Sequence, residues 1–145
     1  MDANSTKGTM PGELKLTTII KNLQPVLMDD DYVFCSLPGK VYGDASDLEP
    51  LACVREPEGL TLVLTAETAR KEKLVFHGKF RCIRLEVHSS LESVGLTAAV
   101  SNALAAQDIS ANLIAGTHHD HILVPAKKSS QAMEILIRLS QGSCL

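Results

Sequence analysis

The chain has 145 residues, 45% of them hydrophobic, enough to bury a core as one compact domain or two small fused ones and too apolar for wholesale disorder. Charged residues make up 21% and the formal net charge is -3, which leaves no electrostatic footprint for nucleic acid or an anionic membrane. Tyr32, Tyr42 and the three Phe residues are not interleaved with Lys or Arg, as a base-stacking surface requires.

Residues 1–10 are small and polar without an apolar signal core, and residues 1–11 are expected to form a disordered tail. Leu16, Ile19, Ile20 and Leu23 then recur at helical spacing, and Pro25 stops the helix they define. Asp29-Asp30-Asp31 precedes Tyr32-Val33-Phe34-Cys35-Ser36-Leu37, whose β-branched and aromatic content reads as a largely buried strand. Residues 38–50 are rich in turn formers and read as a loop. Strands follow at 52–56 and 60–64, joined by a Pro57-Glu58-Gly59 hairpin turn, and Thr65 is placed to cap a helix over 66–73.

Residues 80–87 alternate as a strand, with Arg81, Ile83, Leu85 and Val87 on one face and Phe80, Cys82, Arg84 and Glu86 on the other. Leu96, Ala99, Val100, Ala103 and Leu104 form the clearest helical stripe in the chain. Strands over 111–117 and 121–124 come next, closed by Pro125, and Ser129 or Ser130 is expected to cap a last helix carrying Ala132, Ile135, Leu136 and Leu139.

The two halves form a weak repeat, in which the hairpin and helix beginning Thr61-Leu62-Val63-Leu64 return at Ile122-Leu123-Val124-Pro125. The loop at 38–50 stands where the second half has its long helix. Only residues 141–145 follow the last helix, too few for a closing strand, so the halves share strands or a partner subunit supplies an edge. Interlocked units or a homodimer are expected.

The segment Ser93-Val94-Gly95-Leu96-Thr97-Ala98-Ala99-Val100, followed by Ala103-Leu104 and Ile109, resembles the regulatory ACT units of aspartokinases. Asp31-Tyr32-Val33-Phe34, Glu58-Gly59-Leu60-Thr61-Leu62-Val63-Leu64, Val87-His88-Ser89-Ser90-Leu91-Glu92 and His119-Asp120-His121-Ile122 resemble a family of small stand-alone proteins with two such units. The resemblance implies an α+β fold of tandem ferredoxin-like, βαββαβ-type units with antiparallel sheets and helices on one face. The first unit would span 12–78, with its first helix replaced by the loop, and the second 79–145.

ACT units typically bind amino acids where two units meet, through the loop after the first strand and a neighbouring strand. By position, the resemblance implies a ligand set of Ser36 in the first unit and His88, Ser89, Ser90, Gly95, Leu96, Asn112, Ile114, Gly116 and His119 in the second. Aspartokinase-like units usually carry Asn where this chain has Ser110; Asn112 lies two residues on and shares its strand face. The partner so implied is an amino acid or similar small metabolite, with no cofactor, nucleic acid or membrane.

An amino acid needs N–H donors for its carboxylate and acceptors for its ammonium. Backbone amides near Gly95, at a helix start, supply the first, and the missing side chain lets a ligand approach. Gly95 equally suits a tight turn, with Ser89 and Glu92 as a capping box. The run His118-His119-Asp120-His121 reads as a polar hairpin turn, as ligand contacts, or as a metal site using His119 and His121.

Cys35 with His88 is the pairing an enzyme would need, but no third orienting group accompanies it, and catalysis is not expected. Cys35, Cys53, Cys82 and Cys144 are too scattered for a metal or redox motif and read as reduced thiols of a cytoplasmic protein. The leading reading is a non-catalytic sensor or regulatory protein; a subunit acting by contact with an enzyme of amino-acid metabolism is the alternative.

Overall fold

The computed structural model describes residues 11–87 and 90–143. Of the tail expected over residues 1–11, residues 1–10 lie outside the described residues, as do His88, Ser89 and Cys144, while Pro11 is corrected to the first residue of a helix. The elements run α1 (Pro11–Lys21), β1 (Gln24–Pro38), β2 (Ala52–Glu56), β3 (Gly59–Thr65), α2 (Ala66–Lys71), β4 (Phe80–Glu86), α3 (Leu96–Ala105), β5 (Asn112–Ala115), β6 (Asp120–Pro125) and α4 (Ser129–Ser140). Between β1 and β2 the chain makes only a short 3-10 turn, Ser46–Leu48.

All six strands form one antiparallel sheet in the order β2-β3-β1-β4-β6-β5. The long strand β1 explains how two units fit into one sheet. Its second part, Tyr32 to Pro38, pairs with β3, while Gln24 to Leu27 pairs with β4. The early part of β1 thus closes the second unit, in which no strand follows α4 among the described residues, and β4 closes the first. Strand sharing is therefore the arrangement this chain uses, and each unit keeps the ferredoxin-like order.

The reading of Asp29-Asp30-Asp31 as a segment ahead of the strand is corrected here, because β1 runs through it. The register against β4 shifts between Leu27 and Asp31, a bulge that carries Asp29 and Asp30 to solvent without ending the pairing. Arg81 fastens the bulge from β4: its Nε and Nη2 donate to the Met28 carbonyl at 3.2 and 2.5 Å. Tertiary pairing thereby overrides the poor strand propensity of Asp.

Every described helix packs on one face of the sheet. Ile19 and Leu23 of α1, Val100 and Leu104 of α3, and Ala132, Ile135 and Leu136 of α4 meet Ile83, Leu85, Ile122 and Val124 from the strands. Ala66 and Ala69 of α2 cover Val33, Cys35, Leu62 and Leu64, and the 3-10 turn adds Leu48 where a helix is missing. Thr65 caps α2 as expected, its side chain accepting from the Thr68 N–H.

The expected cap of the last helix is corrected. Lys128 precedes α4 with no side-chain cap, and the Ser129 hydroxyl donates backward to the Ala126 carbonyl at 2.9 Å. A 3-10 turn over Ala126–Lys128 brings that carbonyl within reach. A capping box from Glu92 is not formed either, because α3 starts only at Leu96 and its cap is Gly95, without a side-chain hydrogen bond.

Candidate ligand-binding cleft

Three pieces of chain converge at the end of the sheet where β4 finishes: the loop after β4, the start of α3 and the β5–β6 hairpin. The walls of the resulting cleft come from Ser90, Leu91 and Ser93 on the loop, Leu96 and Thr97 on the helix, and Ala115, Gly116, His118, His119 and Asp120 on the hairpin. Its volume is about 80 Å³, room for a head group. His119 also borders a wider hollow of about 470 Å³ beside Thr18, Asn22, Gln24 and Glu86.

Local chemistry shapes each wall. Gly95 adopts φ +104°, a left-handed conformation that L side chains rarely take, and this turns the loop sharply into α3. The loop is tied by the Glu92 N–H donating to Ser90 Oγ at 3.1 Å and the Ser93 N–H donating to the Ser90 carbonyl at 2.9 Å. On the hairpin, the Gly116 N–H donates to the His119 carbonyl at 3.0 Å. A Cβ at Gly116 would lie 2.7 Å from that same oxygen, so the turn closes only around a glycine.

The electrostatics suit a zwitterion. The first N–H groups of α3, those of Leu96 and Thr97 among them, have no partner within a helix and carry the positive end of its dipole. Across the cleft stands Asp120, whose carboxylate is in no ion pair among the described residues. Ser93 Oγ and His119 Nδ1, on two of the wall residues, are buried without a hydrogen-bond partner. Buried polar atoms are paired in most native structures, and an unpaired one costs about 1–3 kcal/mol, so two in one cleft call for an external group.

Of the residues the sequence singled out, Ser90, Leu96, Gly116 and His119 line the cleft, and Gly95 adjoins it as the helix cap. Asn112 and Ile114 are elsewhere: they pair with Leu123 and His121 on the sheet face that carries no described helix. Ser36 pairs with Thr61 near the far end of β1. His88 and Ser89 lie outside the described residues. Thr97 was not singled out in the sequence; Ser93 lay in the loop, and Asp120 in the run His118-His119-Asp120-His121, that the sequence flagged without choosing either as a wall residue.

His119 and His121 are near enough for their charges to interact but differ in surroundings. His119 turns into the cleft, whereas His121 lies on β6 opposite Ile114 and Arg84, and no group of three metal-ligating side chains forms among the described residues. Burial is the main cause that holds the His121 imidazole below its ordinary range. Burial also pushes the thiol of Cys82 up to about 11 and that of Cys35 upward, so neither is a ready nucleophile near neutral pH.

Residues 11–81 match the ACT domain family, and residues 78–138 match it a second time. The chain belongs to the ACT-domain family, with two units in tandem. A solved structure of a Vibrio cholerae protein of unknown function, described as a possible transport protein, is 48% identical, covers 90% of this chain and 99% of its own, and superposes with a TM-score of 0.81. The ligand-free regulatory subunit of aspartate kinase from Thermus thermophilus shares the fold at 10% identity, over 81% of this chain and 98% of its own, with a TM-score of 0.57. An Agrobacterium tumefaciens protein does so at 14% identity, over 82% and 90%, with a TM-score of 0.68. Among curated proteins none matches. No described helix is long and apolar enough to cross a membrane.

Proposed function

We propose that this protein is a non-catalytic regulatory or sensor protein that binds an amino acid or a similar small metabolite in the cleft at the start of α3. The observation that carries this reading is the pair of buried, unpartnered atoms Ser93 Oγ and His119 Nδ1 on the cleft walls. Helix amides on one side and the Asp120 carboxylate on the other match the carboxylate and ammonium of such a ligand. Family membership supports the same assignment, since ACT units are typically regulatory and amino-acid binding. The reading places the protein in the cytoplasm, where its thiols stay reduced, and assigns it a homodimeric state.

Thermal melting in the presence of each proteinogenic amino acid tests the reading. A ligand at about 100 times its Kd stabilises the folded state by about 2.7 kcal/mol, a shift of several degrees. One amino acid, or a small chemically related set, is expected to give it. A flat response across the set contradicts the reading.

A second reading is favoured by one observation. Leu91 and Val94, on the rim of the cleft, are 68% and 87% exposed, as befits a loop that contacts another protein. In that case the chain regulates an enzyme of amino-acid metabolism by contact. Capture of such an enzyme that survives in the wild type and fails with Val94→Glu, together with a flat melting screen, selects it.

A further inference from the structure

Among the described residues, the first unit has no counterpart of α3. In the second unit that helix lays Leu96, Val100, Ala103 and Leu104 on the sheet, whereas the loop over residues 38–50 brings Ala45 and Leu48 to the first. A hollow of about 390 Å³ is left beside the loop, where Ala45, Pro50, Leu51 and Ala52 surround the buried Leu60 and Leu62. Tyr42 stands at its rim, 84% exposed. A tight turn holds it there: Gly43 takes φ +98°, the Val41 N–H donates to Asp44 Oδ2 at 2.9 Å, and the Asp44 N–H donates to the Val41 carbonyl at 3.1 Å.

The side chains around this hollow decide what chemistry can enter it. None is a carboxylate, ammonium, guanidinium or imidazole, and the polar points are the Tyr42 and Ser46 hydroxyls and the Cys53 thiol. A charged solute would leave water here without a counter-charge, which disfavours the zwitterion that suits the cleft at α3. Size sets a second limit. An apolar cavity of about 150 Å³ already takes a benzene ring, so this larger space takes two fused rings or one ring with a short chain. The exposed ring of Tyr42 offers such a molecule a face to stack on.

We propose that the first unit holds a binding site of its own, for an uncharged, ring-bearing small molecule that rests on Leu60 and Leu62 and stacks against Tyr42. A protein surface is a poorer occupant. Asp44, Asp47 and Glu49 on the loop and Arg55 and Glu56 on β2 are exposed and interrupt the apolar ground beyond the hollow, far short of the area a protein contact needs. The site shares no lining residue with the cleft at α3, so the two ligand readings stand or fall separately.

Amide chemical-shift titration of the full chain tests the proposal, with indole as the uncharged probe and indole-3-carboxylate as its anionic counterpart. Indole is expected to shift the amides of residues that line the hollow, with a Kd below about 1 mM. The anion should bind there about tenfold more weakly. Ser46→Trp, which sets a ring of the protein's own against the hollow, should abolish the indole shifts while far-ultraviolet circular dichroism stays unchanged. Tyr42→Ala should weaken indole about three- to tenfold. Alkylation of Cys53 by iodoacetamide, read on its own peptide by mass spectrometry, should slow in proportion to the fraction of chains that hold indole. No shift at these residues up to the solubility limit of indole overturns the proposal. Equal binding of the anion at the same residues overturns it too, as does indole binding that survives both Ser46→Trp and Tyr42→Ala unchanged.

Discussion

His121 shows how one side chain ties the sheet to pH. Burial, together with the nearby charges of Arg84 and His119, holds its imidazole below the ordinary value of 6.5, against the opposing pull of Asp120 and a hydrogen bond to the Ile114 backbone. The unfolded chain therefore takes up this proton first as acid is added. The contribution of neutral His121 is complete above about pH 6.5, and it declines as pH falls toward the lower folded value. Melting temperature measured from about pH 7.5 to about pH 5 should show the gap between wild type and His121→Gln narrowing in acid. A gap that is constant or widens contradicts this assignment. At the same scale, His119 was legible in the sequence as a hairpin residue, but its unpaired Nδ1 was not, because pairing depends on what other strands bring near it.

Among the elements, the start of α3 carries the most consequence, since it forms one wall of the cleft and rests on α1. Gly95 makes this possible twice over: its φ of +104° suits glycine, and a Cβ there would stand 2.7 Å from Leu16 Cδ2 on α1. Gly95→Ala should cost about 1–2 kcal/mol, mostly from the backbone, and lower the melting temperature by several degrees. Trimming Leu16 to Ala in the same chain should not recover it, because the end of a leucine moves cheaply and the strained φ remains. Full recovery would contradict the backbone account.

The helical stripes of α3 and α4 and the β2–β3 hairpin were legible because spacing and turn residues agree there. Three features were not. The acidic triplet looks like a break until Arg81 grips the Met28 carbonyl; Ser129 looks like a cap until a 3-10 turn offers it a nearer acceptor; and Asn112 and Ile114, placed in the ligand set by position from the ACT resemblance, pair with Leu123 and His121 on the face without a described helix, a register that the family pattern alone does not give.

For the whole molecule, the organising fact is that β1 and β4 each serve two units, so the halves cannot separate without breaking the centre of the sheet. The sequence disclosed the lack of a final strand and offered two remedies; only the three-dimensional pairing chooses the long first strand. This shared frame fixes the loop after β4, the α3 start and the hairpin relative to one another, and so the cleft exists before any ligand arrives. The claim that matters most is that Asp120 and the α3 amides receive the two ends of an amino acid. Calorimetric titration of wild type and Asp120→Asn with the amino acid that raises the melting temperature tests it most directly. Loss of a charge-assisted contact worth about 1.5–3 kcal/mol should weaken binding at least tenfold, with the melting temperature of the unliganded variant near that of the wild type. Equal affinity in the two proteins would contradict it.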